Sequence, residues 1–475
     1  MTQRMLDFEA SARAALADAS LQRALAGLPG GLVAERAAAK ARLPEFEALR
    51  DAARDIRDHT LRNLDLYLKA FERRAAASGS RVHFASTAAE ARDAILAICR
   101  AANATLIAKG KSMVSEEIGL NSHLEAAGAE VVETDLGEYL VQLRGERPSH
   151  IIAPAIHIDQ AQAAADFRRR HTHLAQDRRL EEAPDLVAEA RAILREKFLA
   201  ADVGITGVNF LIAETGAAVI VTNEGNGDLV ALLPKVHIVV ASIEKVVPTL
   251  EDAATLIRLL ARSGTGQDMT AYTTFLAGPK RDGDPDGPEA CHVVIVDNGR
   301  AALLGSEFRE VLRCIRCGAC MNHCPVYNAV GGHAYNSVYA GPIGAVLTPA
   351  LIGLGEARDL PNASSFCGRC EEVCPVKIPL PKLMRSWREV DFARREAPLA
   401  ARAALEAWAF CAKRPRLYHL ATRLAVLALK MAARGRGAFG SFPLARGWTR
   451  HRDFPAPQGR TFHELWAKTK RGASA

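Results

Sequence analysis

Seven cysteines between residues 314 and 374 constrain this chain more than any other feature of its sequence. They form two runs, Cys314-x2-Cys317-x2-Cys320-x3-Cys324-Pro325 and Cys367-x2-Cys370-x3-Cys374-Pro375. The spacing of the first run places three thiolates on one tight loop and turns the fourth cysteine, set off by a proline, toward a different site. Such crowding, in a chain whose first residues do not resemble an export signal, indicates metal ligation rather than disulfides.

Two kinds of metal site fit cysteines at this spacing. Paired Cys-x2-Cys units also bind zinc, which takes four ligands in a tetrahedron. Seven cysteines, the repeated x2 spacing and two Cys-Pro endings fit a pair of iron–sulfur clusters better. The remaining cysteines lie in apolar surroundings and are predicted to be packed thiols: Cys99, Cys291 and Cys411.

The crossover rule for such runs divides the seven cysteines between two clusters. Cluster 1 takes Cys314, Cys317, Cys320 and Cys374, and cluster 2 takes Cys324, Cys367 and Cys370. Cluster 2 therefore has only three thiolates, and Ser364 occupies the position of the missing cysteine. Two alternatives stay open: a fourth iron held by a non-cysteine ligand such as Ser364, or a three-iron cluster.

Upstream of the cysteines the pattern is that of an α/β domain with a mostly parallel sheet. Residues 1–80 read as helices, and short apolar strands then alternate with helical stretches as far as residue 300. Gly204–Thr222 is predicted to contain an antiparallel edge hairpin of the same sheet. The predicted strands are Ala104–Ala108, Glu130–Glu133, His150–Ala153, Val219–Thr222, Val236–Ala241 and Val293–Val296.

Four segments follow from these patterns. Residues 1–80 form an N-terminal helical segment, 81–300 the α/β domain, 301–395 a small helical two-cluster domain, and 396–475 a basic helical tail. Residues 401–475 carry fifteen Lys and Arg against three Asp and Glu, although the whole chain has a formal charge of only +7. We expect this tail to contact an acidic protein or a membrane surface, because no nucleic-acid motif accompanies its charges.

A second candidate site lies at predicted strand ends in the α/β domain. The Gly-rich loop from Thr222 to Asp228 follows a strand directly, and ligands of open α/β sheets gather at the carboxyl ends of strands. Other charged residues near strand ends are predicted to converge with this loop around a small carboxylate or phosphate. The residues of this hypothesis are Lys109, Lys111, Glu214, Thr215, Asn223, Glu224 and Asn226.

Three segments together resemble one known family. TGVNFLIAETGAAVIVTNEGNGDL from Thr206, CIRCGACMNHCPVY from Cys314 and SSFCGRCEEVCPVKIPL from Ser364 look like lactate-utilisation protein B, the iron–sulfur subunit of a bacterial L-lactate oxidising system. The resemblance covers nearly the whole chain. It implies an α/β domain of the lactate-utilisation (LUD) class, similar to sugar-phosphate isomerase folds, and two [4Fe-4S] clusters on the seven cysteines.

The resemblance also implies a role. The chain is expected to transfer electrons, without catalysing the chemistry, as L-lactate becomes pyruvate, together with two other lactate-utilisation proteins, one of them a cysteine-rich redox subunit. A quinone is a possible acceptor, and the expected location is the cytoplasm, with peripheral membrane contact allowed and no membrane span. Two alternatives remain: the α/β domain itself binds or oxidises lactate, or the clusters are only structural.

Overall fold

A computed structural model describes residues 8–395, 399–441, 449 and 452–472, with the side chains of residues 471 and 472 left out of the description. The chain divides into two compact units, the first ending at Val390 and the second beginning at Asp391. The first unit contains the α/β domain and all seven clustered cysteines. Its N-terminal helices are α1 (Phe8–Ala17), α2 (Ala19–Ala26), α3 (Ala34–Ala41), α4 (Phe46–Arg62) and α5 (Leu64–Ala77).

The centre of the first unit is a six-stranded sheet in which every pair of neighbouring strands is parallel. Its strand order is β1-β10-β7-β4-β2-β3, which confirms the prediction of a mostly parallel α/β sheet. The strands of the unit are β1 (Arg81–Ala85), β2 (Leu106–Lys109), β3 (Glu130–Glu133), β4 (Val203–Gly207), β5 (Phe210–Ile212), β6 (Ala218–Thr222), β7 (Val236–Ser242), β8 (Val246–Val247), β9 (Tyr272–Leu276) and β10 (Ala290–Val296).

Helices cover both faces of this sheet. Because side chains alternate between the two faces along each strand, each strand contributes to two cores. In β7, Ile238 and Val240 pack into one core with α6, whereas Val239 and Ala241 pack into another with α5, where α6 spans Ala88–Ala101. The other helices of the α/β domain are α7 (Met113–Glu117), α8 (Leu120–Ala126), α9 (Leu136–Arg144), α10 (Gln160–Arg170), α11 (Ala183–Ala200), α12 (Asn226–Leu232) and α13 (Leu250–Gly264).

The predicted hairpin forms, but in a different sheet. Strands β5 and β6 pair antiparallel inside a separate four-stranded sheet of order β8-β5-β6-β9, so its placement at the edge of the main sheet was wrong. Asn209, just after β4, bonds to the new sheet through both its backbone and its side chain. Phe210 and Val219 then pack into the core that surrounds the cysteines. Burial against that second core draws the hairpin away from the main sheet.

The strand predicted at His150–Ala153 does not form. This segment is a bend in which the Nδ1 atom of His150 accepts hydrogen bonds from the backbone N–H groups of Ile152 (3.0 Å) and Ala153 (3.1 Å). His150 is itself buried, and its Nε2 atom lies 2.8 Å from Asn322 Oδ1. A local side chain therefore satisfies donors that a sheet ladder would otherwise satisfy.

The cysteine region is helical, as predicted, with short helices joined by tight loops. Its helices pack into one apolar core with α4 and α13. The core includes the Phe308 and Trp387 rings, which stack with their centroids 3.8 Å apart. These helices are α14 (Arg300–Leu304), α15 (Ala319–Asn322), α16 (Pro325–Val330), α17 (Gly341–Ile352), α18 (Leu354–Ala357), α19 (Arg369–Glu372) and α20 (Leu380–Ala393).

The second unit is helical and basic, which matches the predicted tail. Arg423 and Glu464 form an ion pair at 2.6 Å within it. In the part of the chain that the structure describes, no helix is both long enough and apolar enough to cross a membrane. The elements of this unit beyond α20 are α21 (Leu399–Ala412), α22 (Pro415–Ala433), β11 (Ala438–Phe439), β12 (Phe454–Pro455) and α23 (Phe462–Gly472).

Candidate iron–sulfur site and adjoining cavity

The two cysteine units share one backbone conformation. Arg316 and Phe366, which immediately precede Cys317 and Cys367, both adopt left-handed backbone angles, with φ of 61° and 56°. Gly318 and Gly368 then follow with φ of 73° and 81° and begin the short helices α15 and α19. Left-handed residues curl a loop tightly. The two units therefore share the same tight loop before their short helices.

The cysteines line two separate pockets. The first cysteine pocket is lined by Cys314, Cys317, Cys320 and Cys374, together with Ile343 and Ile378 among other residues. The second cysteine pocket is lined by Cys324, Cys367 and Cys370, with Ser364 beside them. This grouping is the one that the crossover rule gives, although the assignment of each ligand stays a prediction.

The donor atoms suit iron–sulfur ligation. Backbone N–H groups of Arg316 and Ile378 donate to the Sγ atoms of Cys314 and Cys374, both at 3.4 Å. Burial raises the pKa of the Cys374 thiol to about 11 and that of the Cys370 thiol to about 12. Sulfurs so deeply buried become thiolates only where a cation replaces their protons. Two such groups of sulfur match two metal centres better than one zinc ion with four ligands.

Buried cations from the N-terminal helices hold the cysteine loops. Arg50 of α4 donates to the carbonyl oxygen of Cys374 through Nε (3.0 Å) and Nη2 (2.8 Å). Arg36 of α3 donates to the carbonyl oxygen of Val373 at 2.9 Å, and Arg57 donates to that of Leu312 at 2.9 Å. A four-cysteine iron–sulfur cluster is anionic, so these guanidinium groups fit it in charge as well as in position.

Ser364 stands where a fourth cysteine would stand. The N–H group of Phe366 donates to Ser364 Oγ at 3.1 Å, just as the N–H group of Arg316 donates to Cys314 Sγ at 3.4 Å. The serine oxygen therefore occupies the position equivalent to a ligand sulfur. Cys367 is exposed, whereas Cys317 is buried. The second pocket is thus the one that approaches the surface of the unit.

A larger cavity of about 380 Å³ adjoins the first pocket. It lies where the loops after β2, β4 and β6 meet the end of α13. A Cβ atom added to Gly264, the last residue of α13, would lie 2.7 Å from the carbonyl oxygen of Cys317, so only glycine permits this close approach. Four of the predicted ligand residues line this cavity: Lys111, Asn223, Glu224 and Asn226.

The structure places the other three predicted ligand residues elsewhere. Lys109 is buried and donates to Glu116 at 2.9 Å and to Glu133 at 2.5 Å. Glu214 accepts from the N–H group of Leu250 at 3.0 Å, at the start of α13. Thr215 Oγ1 accepts from the N–H group of Ala217 at 3.2 Å within the hairpin turn. None of the three lines the cavity.

Two cations that line the cavity were missed from the sequence. Lys245 lies in the 3₁₀ turn after β7, and Arg316 is an intervening residue of the first cysteine run. A signal for Arg316 was present, because a charged residue beside a ligand cysteine is expected to interact with the cluster it binds. No comparable signal marked Lys245, since only the tertiary structure brings β7 beside the cysteine loop.

The fold and site define a two-part iron–sulfur protein, and comparison with known proteins agrees. Residues 68–296 match the model of the LUD domain, 310–378 that of the 4Fe-4S dicluster domain, and 385–471 that of the lactate utilisation protein B C-terminal region. The chain binds iron–sulfur clusters. It belongs to the lactate utilisation protein B family and has a role in lactate utilisation.

Curated relatives match this chain over almost their whole length. A "Lactate utilization protein B" of Geobacillus sp. (strain WCH70) is 46% identical, with 95% of each chain covered. Another of the same name from Bacillus subtilis (strain 168) is 46% identical, covering 94% of this chain and 93% of its own. A crystal structure of a DUF162 family protein from Deinococcus radiodurans covers 49% of this chain and 98% of its own at 17% identity, but its TM-score of 0.28 supports no structural argument.

Proposed function

We propose that this chain is the iron–sulfur electron-transfer subunit in the oxidation of L-lactate to pyruvate. The observation that carries the proposal is the arrangement of two cysteine groups side by side, one bordering the large cavity and the other approaching the surface. Iron–sulfur clusters held by these groups supply one-electron transfer. The family's role in lactate utilisation supports lactate as the source of the electrons.

The proposed ligand sets follow the two pockets. Cys314, Cys317, Cys320 and Cys374 hold a [4Fe-4S] cluster, cluster 1. Cluster 2 is held by Cys324, Cys367 and Cys370, with Ser364 Oγ as the fourth ligand of a [4Fe-4S] cluster. The loop geometry that the two cysteine units share favours this assignment over a [3Fe-4S] cluster. Arg36, Arg50 and Arg57 fix the loops around cluster 1 through their carbonyl groups.

The proposed partners follow from the family and from exposure. Two other lactate-utilisation proteins, one of them a cysteine-rich redox subunit, complete the system, and a quinone accepts the electrons in the end. Exposed Phe366 and Cys367 mark the side of the first unit where a partner approaches cluster 2. The proposed location is the cytoplasm, with the basic C-terminal unit able to reach an acidic membrane surface.

An anaerobic redox titration tests this function. We expect the purified holoprotein to contain acid-labile sulfide and to show two reversible one-electron steps by electron paramagnetic resonance, because each cluster takes up one electron. Addition of the partner proteins and L-lactate should reduce the same signals. Colourless protein loaded with zinc would contradict iron–sulfur binding, and clusters that cannot be reduced reversibly would leave only a structural role.

A second candidate function is binding of lactate or pyruvate by the α/β domain itself. The specific observation in its favour is that Lys111, Asn223 and Asn226 share one cavity with Lys245 and Arg316. Ammonium, amide and guanidinium groups are the usual donors to a small carboxylate. A cavity of about 380 Å³ has the size of a small-molecule site.

Isothermal titration of the oxidised holoprotein tests this second function. L-Lactate and pyruvate should release or absorb heat, and Lys245→Met should weaken binding by roughly 10-fold or more, since a hydrogen bond to a charged group contributes about 1.5–3 kcal/mol. Glu214→Gln is the control, because Glu214 lies outside the cavity and its replacement should leave affinity unchanged. The absence of heat with both acids would exclude this function.

A further inference from the structure

The large cavity and the first cysteine pocket share a wall. Arg316 and Cys317 line both of them. Lys245 lines the cavity and is also close enough to Cys314 for their charges to interact. A molecule bound in the cavity is therefore the neighbour of the ligands proposed for cluster 1. A charge in the cavity therefore interacts electrostatically with a charge in the first cysteine pocket across a buried boundary.

The guanidinium group of Arg316 has one nitrogen without a hydrogen-bond partner. Its guanidinium stacks on the Tyr339 ring at 4.5 Å from the centroid, and Nη2 lies 3.1 Å from Glu244 Oε1. The side chain is only 8% exposed, yet its Nη1 atom has no hydrogen-bond partner. A buried donor without a partner costs about 1–3 kcal/mol, so Nη1 is available to an anion in either of the two spaces that Arg316 lines.

The cations that line the cavity differ in how many carboxylates lie near them. Lys111 lies near the carboxylates of Asp135, Glu138 and Glu224, so its charge is balanced. Arg316 and Lys245 have only Glu244 as a nearby carboxylate among the groups that raise their pKa values, and Glu244 also pairs with Arg300 at 3.0 Å. Among these side chains, positive charge therefore exceeds negative charge around Arg316 and Lys245.

We propose that a small carboxylate binds between Lys245 and Arg316, and that its binding lowers the reduction potential of cluster 1. The proposal rests on the electron-transfer function above and adds the ligand position and its regulatory effect. An anion in the cavity and an anionic cluster repel each other, and reduction of the cluster adds one more negative charge. The oxidised protein must then bind the carboxylate more tightly than the reduced protein. By linkage, the bound carboxylate makes reduction of cluster 1 harder by the same factor.

This linkage has a consequence for the direction of electron flow. A carboxylate in the cavity makes reduced cluster 1 a stronger donor to cluster 2, and arrival of an electron favours release of the carboxylate. If affinity falls tenfold on reduction, the one-electron potential of cluster 1 falls by about 59 mV. Pyruvate should therefore dissociate more readily while cluster 1 is reduced than while it is oxidised.

A potentiometric titration of the holoprotein measures this effect. The probes are saturating pyruvate and, in a separate arm, inorganic phosphate, with dithionite and soluble mediators setting the potential. Pyruvate should lower the potential of one of the two clusters by about 59 mV for the tenfold case, and should leave the other cluster nearly unchanged. Equal shifts with phosphate would show a site for anions in general and would overturn the carboxylate assignment.

Variants separate this proposal from an effect of folding. Lys245→Met should abolish the shift while both clusters remain present, and Lys245→Arg, which keeps the positive charge, should retain it. Lys69→Gln, on the exposed surface of α5, is the matched control and should behave as the unmodified protein. A shift that survives Lys245→Met would overturn the proposed position of the anion.

The result also distinguishes this proposal from the electron-transfer function. Reversibly reducible clusters whose potentials do not respond to pyruvate would refute the linkage and leave electron transfer intact. Clusters that cannot be reduced would refute electron transfer. In that case the carboxylate site is still tested by titration calorimetry of the oxidised holoprotein, where Lys245→Met should weaken pyruvate binding by roughly 10-fold or more, and equal binding by both proteins would exclude the site.

Discussion

Replacing Cys317 by alanine, which has no ligand atom, is expected to remove about half of the bound iron and to stop growth on L-lactate. Cys317 is buried in the pocket that four cysteines line, and no other cysteine of the described chain is placed to substitute for it. Two four-iron clusters hold about eight irons, so loss of cluster 1 leaves about four. Iron and acid-labile sulfide in the purified variant, with complementation of a deletion strain on lactate, give the measurement.

The control for this experiment is another cysteine that lies outside both pockets. Cys411→Ala, in α21, changes a half-buried thiol and should keep all the iron and normal growth. If Cys317→Ala kept its full iron and supported growth as well as the control does, the assignment of Cys317 to cluster 1 would have to be abandoned.

Arg300→Met is expected to destabilise the first unit by about 3–5 kcal/mol, the usual cost of leaving a buried charge unpaired. The Arg300 side chain is fully buried and pairs with two buried carboxylates, Glu117 and Glu244. Burial alone would raise the pKa of Glu244, but Arg300 and Arg316 lower it to about 2. Removing Arg300 leaves these carboxylates with less compensating charge. Urea denaturation followed by circular dichroism under anaerobic conditions measures the loss.

An exposed arginine of the same unit gives the comparison. Arg385 is 75% exposed and pairs with Glu389 on the surface of α20, so Arg385→Met should change the free energy of unfolding by less than about 1 kcal/mol. Equal stability of the Arg300 and Arg385 variants would show that the Arg300 network does not stabilise the native fold.

Local patterns were sufficient to predict several features. The Cys-x2-Cys spacings predicted an iron–sulfur protein because the ligands of such a site come from short, continuous loops. Apolar strands alternating with helices predicted the parallel sheet, since a sheet buried on both faces needs near-continuous apolar strands. The position of Ser364 relative to Cys314 could likewise be read by aligning the two cysteine units, and their shared loop geometry agrees.

Other features depended on contacts between distant segments. The apolar hairpin of β5 and β6 reads the same whichever sheet it joins, and packing against the cysteine core decided its place. Likewise, Lys109 and Lys111 are only two positions apart in the sequence, yet Lys109 is paired with Glu133 whereas Lys111 lines the cavity.

The sequence by itself determined the class of cofactor and the class of fold, because both depend on spacings within short segments. Only the tertiary structure decided that Lys245 and Arg316 meet beside Cys317, and that the cavity therefore borders the first cysteine pocket. The physical reason is that burial and charge pairing depend on which distant segments pack together, and the spacing of residues along the chain does not record that.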